Sequence, residues 1–231
     1  MNDHPLLSLL KWDLLLLHRN RLILLSVVVA GLYVGIFYLL KPLGNLDTVL
    51  IVLLFNDPVV TGFIFAGVIF LMEKNQHTLQ AVRVSPLSLS FFILSKTLSL
   101  SLISLITAVL MTLAAKGVAF LSFHLLSGVF LSAFLFTLCG FFFASYSRTF
   151  NHFLLYTIGF LIVMGIPFLS LFDWGWTGFY LLFPSYAAIV LLKASVEQIS
   201  SWYLLYGYGY LSLWVMGSWF LTLRVIKHHS L

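Results

Sequence analysis

A chain of 231 residues that is 61% hydrophobic and 8% charged, with a mean hydropathy of +1.09, cannot meet water over most of its surface. Soluble domains run at about 25% charged residues, so this composition excludes them and gives an all-α, polytopic membrane protein surrounded by lipid. The formal charge of +5, from 12 Lys and Arg against 7 Asp and Glu, then belongs to basic loops on one membrane face and not to a nucleic-acid partner.

In chain order, the stretch 5–21 reads as a separate interfacial amphipathic helix. Ser8, Lys11 and His18 mark one stripe, and Leu6, Leu9, Leu10, Leu14 and Leu17 fill much of the rest. A helix of that asymmetry can lie in the headgroup plane; the alternative is a plain extension of the first span. The apolar run 22–40 is longer than the apolar part of a signal peptide, and reads as an anchor. A membrane-spanning helix needs roughly 20 apolar residues. Six candidates result, at about 22–40, 57–72, 91–115, 124–145, 153–171 and 202–222.

The second span is expected to open at Asp57-Pro58, with Asp57 as a structural N-cap and Pro58 at the first helical position. The apolar piece 47–55 before it is too short to span and is placed at the outer surface. At the bilayer centre Asp57 would cost about 2.5–3.5 kcal/mol and would suggest ion coupling; as an interfacial cap it costs little. Between the last two spans, an outer loop over 172–200 holds a short apolar run broken by Pro184 and followed by Lys193 and Glu197. It reads as a re-entrant or interfacial helix.

Basic residues orient the chain. Lys11, Arg19, Arg21, Lys74, Arg83, Lys96, Arg148, Arg224 and Lys227 fall on one side under this count, and Lys41, Lys116 and Lys193 on the other. The richer side is cytoplasmic, which puts both termini there. Trp174, Trp176 and Trp202 then cluster near the outer interface, as an aromatic belt does.

The chemistry concentrates around the cytoplasmic loop 73–90. Glu73 leaves the second span, a polar segment with His77, Thr78, Leu79 and Arg83 follows, Ser85-Pro86 breaks it, and Lys96 stands at the entrance of the third span. Proline restricts the residue before it and ends a loop helix sharply. Such a hook can take a push from a soluble partner and pass it to two membrane helices. Charges that merely snorkel to water give the same pattern of Glu73 and Lys96. Farther along, Thr97, Ser101, Ser104, Ala108 and Thr112 recur at spacings of three and four and form one small, weakly polar face, suited to helix packing or to lining a substrate path. Gly31 and Gly35 give a second small-residue contact. The aromatic groups Phe141-Phe142-Phe143 and Tyr203, Tyr206, Tyr208 and Tyr210 could touch an apolar ligand or simply lipid.

Some signatures are absent. The single Cys139 lies in a span, which leaves no disulfide framework, and the seven histidines show no metal-ligand spacing, so no metal site is expected. No P-loop sequence occurs, and no inverted repeat with matched charges supports a secondary transporter. The spans lack the paired carboxylates or the Ser-Lys pair of an intramembrane enzyme.

At Asp57-Pro58, Glu73, Thr78-Leu79, Ser85-Pro86 and Lys96 the chain resembles permease subunits of the type-2 ABC exporters. The Asp-Pro pair is similar to the fluoroquinolone-export permease branch. The detailed match covers about 40 residues, and the six-span layout extends it over 1–231 as one permease domain. His77 stands where many relatives have glycine. The resemblance implies a transmembrane half that pairs with a second copy or a similar permease and with two ATP-binding cassette subunits. ATP and Mg would sit in those subunits, with no cofactor in this chain. It implies that Glu73, His77, Thr78, Leu79, Arg83, Ser85, Pro86 and Lys96 couple the membrane helices to the ATPase, and that a hydrophobic or amphipathic substrate moves outward. The competing expectation is an accessory or assembly subunit that binds a partner and moves nothing.

Overall fold

The computed structural model describes residues 5–43, 46–76, 78 and 88–229, and every element among them is helical. Helix α1 is Pro5–Arg19 and α2 is Leu22–Leu40. The long helix α3 covers Leu46–Asn75, and α4 covers Leu89–Lys116. Helix α5 is Phe123–Tyr146 and α6 is Phe150–Phe172, followed by the single turn α7 (Thr177–Tyr180). A short α8 (Pro184–Lys193) and a long α9 (Ser201–His229) complete the order. Among the described residues six helices are long and apolar enough to cross a membrane. The spans start where hydroxyl residues cap them. Ser88, Ser122 and Thr149 each accept a hydrogen bond from the backbone N–H three residues on, at the heads of α4, α5 and α6.

The second span departs from its expected start. Asp57 is not an N-cap: its φ of −62° and ψ of −50° are helical, and its side chain makes no capping bond. The helix begins at Leu46, so 47–55 is part of the span and not a surface segment. Proline inside a helix lacks an N–H and crowds the carbonyl four residues back. The chain absorbs this by widening into a π-helical stretch over Pro58–Ile64, and the Phe65 N–H reaches Val60 O as well as Gly62 O. At 1.5 Å per residue the 30-residue helix is about 45 Å long, more than the hydrocarbon core needs.

Helices α3 and α5 form the centre. In their apolar windows 72% and 61% of residues are buried, against 17% in α2 and 28% in α6 and α9. Glycine lets the central pair approach: a Cβ on Gly140 would strike the backbone carbonyl of Phe63, and one on Gly62 would meet Ala133 O at 3.0 Å. Phe63 is fully buried there and stacks on Phe153 and Phe160 of α6, with ring centroids 5.7 and 4.9 Å away.

Two shorter helices frame this core. Arg21, with a left-handed φ of 58°, breaks the chain between α1 and α2, so α1 is a separate helix and not an extension of the first span. Ser8, Lys11 and His18 are exposed while Leu17 is buried. Helix α8, only ten residues long, is buried from Pro184 to Leu192. Leu191 fits beside Gly128 of α5 and Gly207 of α9. A helix lying on a surface would show one face; this one is an insertion between two spans. Tyr206 and Tyr210 of α9 fasten its approach by donating to Leu181 O and Leu182 O, each at 2.8 Å.

Candidate functional site

Glu73 sits in the last turn of α3, and Lys96 two turns into α4. The two residues flank the segment 77–87. Lys96 Nζ donates to Glu73 Oε1 at 2.6 Å and to Asp13 Oδ1 of α1 at 2.9 Å. Ser95 Oγ donates to the other oxygen of Asp13 at 2.5 Å. The side chains of Lys96, Glu73 and Asp13 are 6%, 7% and 13% exposed, so this is a buried ion cluster and not a pair of snorkelling charges. It joins three helices through one ammonium group. Lys96 also lies over the Phe92 ring, 4.6 Å from its centroid.

A second tie holds the same end of the molecule. Lys74 Nζ donates to Ser145 O at 2.9 Å and to Ser147 O at 3.2 Å. These are carbonyls at the C-terminal end of α5, where a helix leaves acceptors unfilled and attracts cations. Adjacent residues of α3 thus grip α4 through Glu73, and by way of Lys96 and Asp13 also α1, and α5 through Lys74.

Asp57 forms a separate, deeper centre. It is fully buried. Ser104 Oγ lies 2.7 Å from its Oδ2, as does Thr107 Oγ1, and Thr61 Oγ1 reaches Oδ1 at 3.3 Å. Among the described residues hydroxyl groups surround the carboxyl and no cation bonds to it, and these donors satisfy much of its hydrogen-bonding capacity inside the bundle. Asp57 therefore ties α3 to α4 at mid-span instead of starting a helix. Ser104 belongs to the small-residue face, and the rest of that face is equally enclosed. Thr97, Ser101 and Thr112 are fully buried, with hydroxyls donating to the carbonyls of Ile93, Thr97 and Ala108. In this structure the face packs within the chain. Gly31 and Gly35, by contrast, lie on an exposed part of α2, with open space where a Cβ would stand.

His77, Leu79, Arg83, Ser85 and Pro86 lie outside the described residues, and Thr78 is half-buried. Among the described residues no three His, Cys, Asp or Glu side chains gather as a metal site. The expected aromatic groups have local duties: Phe141 is buried, and Tyr208 meets His124 Nδ1 at 2.9 Å and Ser127 Oγ at 2.7 Å. Asp13 is the residue that sequence reasoning passed over. Its signal was available, as the one carboxylate within the leucine-rich α1.

Among curated proteins none matches the chain. The model of the fluoroquinolones export permease protein family matches residues 4–231, so the chain belongs to that family.

Proposed function

We propose that this export permease is the membrane half of an ATP-driven ABC exporter. It works with a separate ATP-binding cassette subunit and moves a hydrophobic or amphipathic substrate, such as a fluoroquinolone, outward across the cell membrane. Both termini and the segment 73–90 face the cytoplasm, by the excess of basic residues at that end. The observation that carries the reading is the Asp13–Lys96–Glu73 cluster. A force applied to the segment between Glu73 and Lys96 reaches α3 and α4 at once, and α1 and α5 through Asp13 and Lys74. A loop meant only to connect two spans needs no such anchorage. Hydrolysis of ATP belongs to the partner, because the chain has no phosphate-binding loop. Two copies, or this chain and a similar permease, enclose the path, with Gly31 and Gly35 of α2 available for close helix contact.

The test is co-reconstitution with the ATP-binding subunit in proteoliposomes, following a fluorescent fluoroquinolone. Transport should require ATP and both proteins. Leu79→Asp should weaken ATPase binding and abolish transport while the permease still inserts, because a charge would replace an apolar contact. Transport by the permease alone, or full transport by Leu79→Asp, would overturn the proposal.

A further inference from the structure

Beside the ion cluster a cavity of about 430 Å³ opens between α1 and the adjoining ends of α3 and α4. Two features of it remain unbalanced. Asp13 and Glu73 share one lysine, so the cluster carries two carboxylates against one ammonium. Glu73 Oε1 is taken by Lys96, while the buried Oε2 has no hydrogen-bond partner among the described residues. Buried polar atoms are nearly always paired, and an oxygen left without a donor, beside two carboxylates that share one ammonium, suits a donor that carries positive charge. Glu73 lines the cavity together with Asp13 and Lys96, so the cluster itself forms one wall of it.

The rest of the lining narrows the donor's identity. Arg19, exposed at the last turn of α1, offers a guanidinium that suits a phosphate. Trp12, Leu15 and Met72 are apolar and 66%, 45% and 39% exposed. The cavity stands where α1 meets the ends of two helices long and apolar enough to span a membrane, which suits the level where headgroups and hydrocarbon meet. A molecule with an ammonium, a phosphate and an apolar body in that order matches all three features. We propose that the cavity is a binding site for a phospholipid with a primary ammonium headgroup, of the phosphatidylethanolamine type. The ammonium donates to Glu73, the phosphate pairs with Arg19, and the glyceryl and acyl portion lies along Trp12, Leu15 and Met72. A bound lipid then braces α1 against α3 and α4 beside the ion cluster. This requires only that the cluster lies at a membrane surface, and does not depend on coupling to an ATPase.

The experiment uses the full chain in nanodiscs of phosphatidylcholine doped with phosphatidylethanolamine or phosphatidylglycerol of the same acyl chains. Lipids retained on mild delipidation are counted by native mass spectrometry. Phosphatidylethanolamine should be retained about tenfold over phosphatidylcholine, whose trimethylated nitrogen has no N–H to give, as one charge-assisted hydrogen bond would produce. Glu73→Gln should remove most of that preference. Arg19→Gln, a change at an exposed position, should weaken retention of both lipids. Equal retention of the two lipids by the parent, retention of phosphatidylglycerol as strong as that of phosphatidylethanolamine, or a preference unchanged in both variants would overturn the proposal. No ATPase and no transport step enters the measurement, so its failure is separate from failure of the exporter reading.

Discussion

Replacing Lys96 by methionine should be the most damaging single change in the ion cluster. Lys96 is the sole cation within bonding distance of Glu73 Oε1 and Asp13 Oδ1 among the described residues, at 2.6 and 2.9 Å. All three side chains are at least 87% buried, by the exposures of 6%, 7% and 13%. An exposed ion pair contributes about 0–1 kcal/mol. Breaking a buried one costs about 3–5 kcal/mol, because a charge is left without a partner. Lys96→Met strands two carboxylates, so the upper part of that range applies. Glu73→Gln leaves Lys96 paired with Asp13 and should cost about 1–3 kcal/mol, the scale of one charged hydrogen bond. Asp13→Asn should cost least, since Asp13 is the most exposed member and Ser95 Oγ can still donate to an amide oxygen. Joint replacement of all three by apolar residues should recover much of the loss, as for other buried ion clusters. Unfolding by a denaturing detergent, followed by tryptophan fluorescence, gives the ranking. A loss below 1 kcal/mol for Lys96→Met, or a reversed order, would refute the argument that these are buried and not surface charges.

Three further outcomes are expected. Ser104→Ala with Thr107→Val leaves the Asp57 carboxyl nearly without donors inside the bundle, and should destabilise by about 1–3 kcal/mol per lost partner, more than Asp57→Asn; the same unfolding assay checks the order. Gly140→Ala would push a methyl into the Phe63 carbonyl and should cost about 1–3 kcal/mol, whereas Gly35→Ala meets open space and should leave the unfolding midpoint unchanged or raise it slightly. In a background with Cys139 replaced by serine, single cysteines at Asn75 and Thr177 should label from opposite sides of sealed vesicles, and labelling of both from one side would refute the orientation.

Six spans and five of their approximate bounds were legible because length and hydropathy decide them, and lipid leaves the backbone no other choice. The second span misled for a definite reason. Asp-Pro is a strong start signal in water, where aspartate gains nothing from being inside a helix. Here Asp57 gains three hydroxyl partners, two of them on α4, 47 and 50 positions away. Nothing in the local sequence announces them. Pro58 is accommodated by a π-helical stretch that depends on close packing against α5. Tertiary contacts thus overrode two local rules at once. The same kind of distant contact hid Asp13, whose partners Ser95 and Lys96 lie more than 80 positions along the chain.

Once these contacts are placed, the charges that looked scattered along the sequence fall into one order. Helices α3 and α4 run antiparallel, and each carboxylate of α3 meets its partner on α4 in register. Asp47 pairs with Lys116 at one end, Asp57 bonds to Ser104 and Thr107 in the middle, and Glu73 pairs with Lys96 at the other end. Apolar helix faces in lipid gain little from excluding water and can slide or rotate at low cost. Polar ties at three depths resist both motions, and the buried ones at Asp57 and Glu73 would lose their α4 partners in a one-residue slip. The two helices are therefore tied along their length, with their neighbouring described ends at Asn75 and Leu89. A stiff pair of this kind suits the lever that the proposed exporter requires, while α2, α6 and α9 lie largely exposed around it.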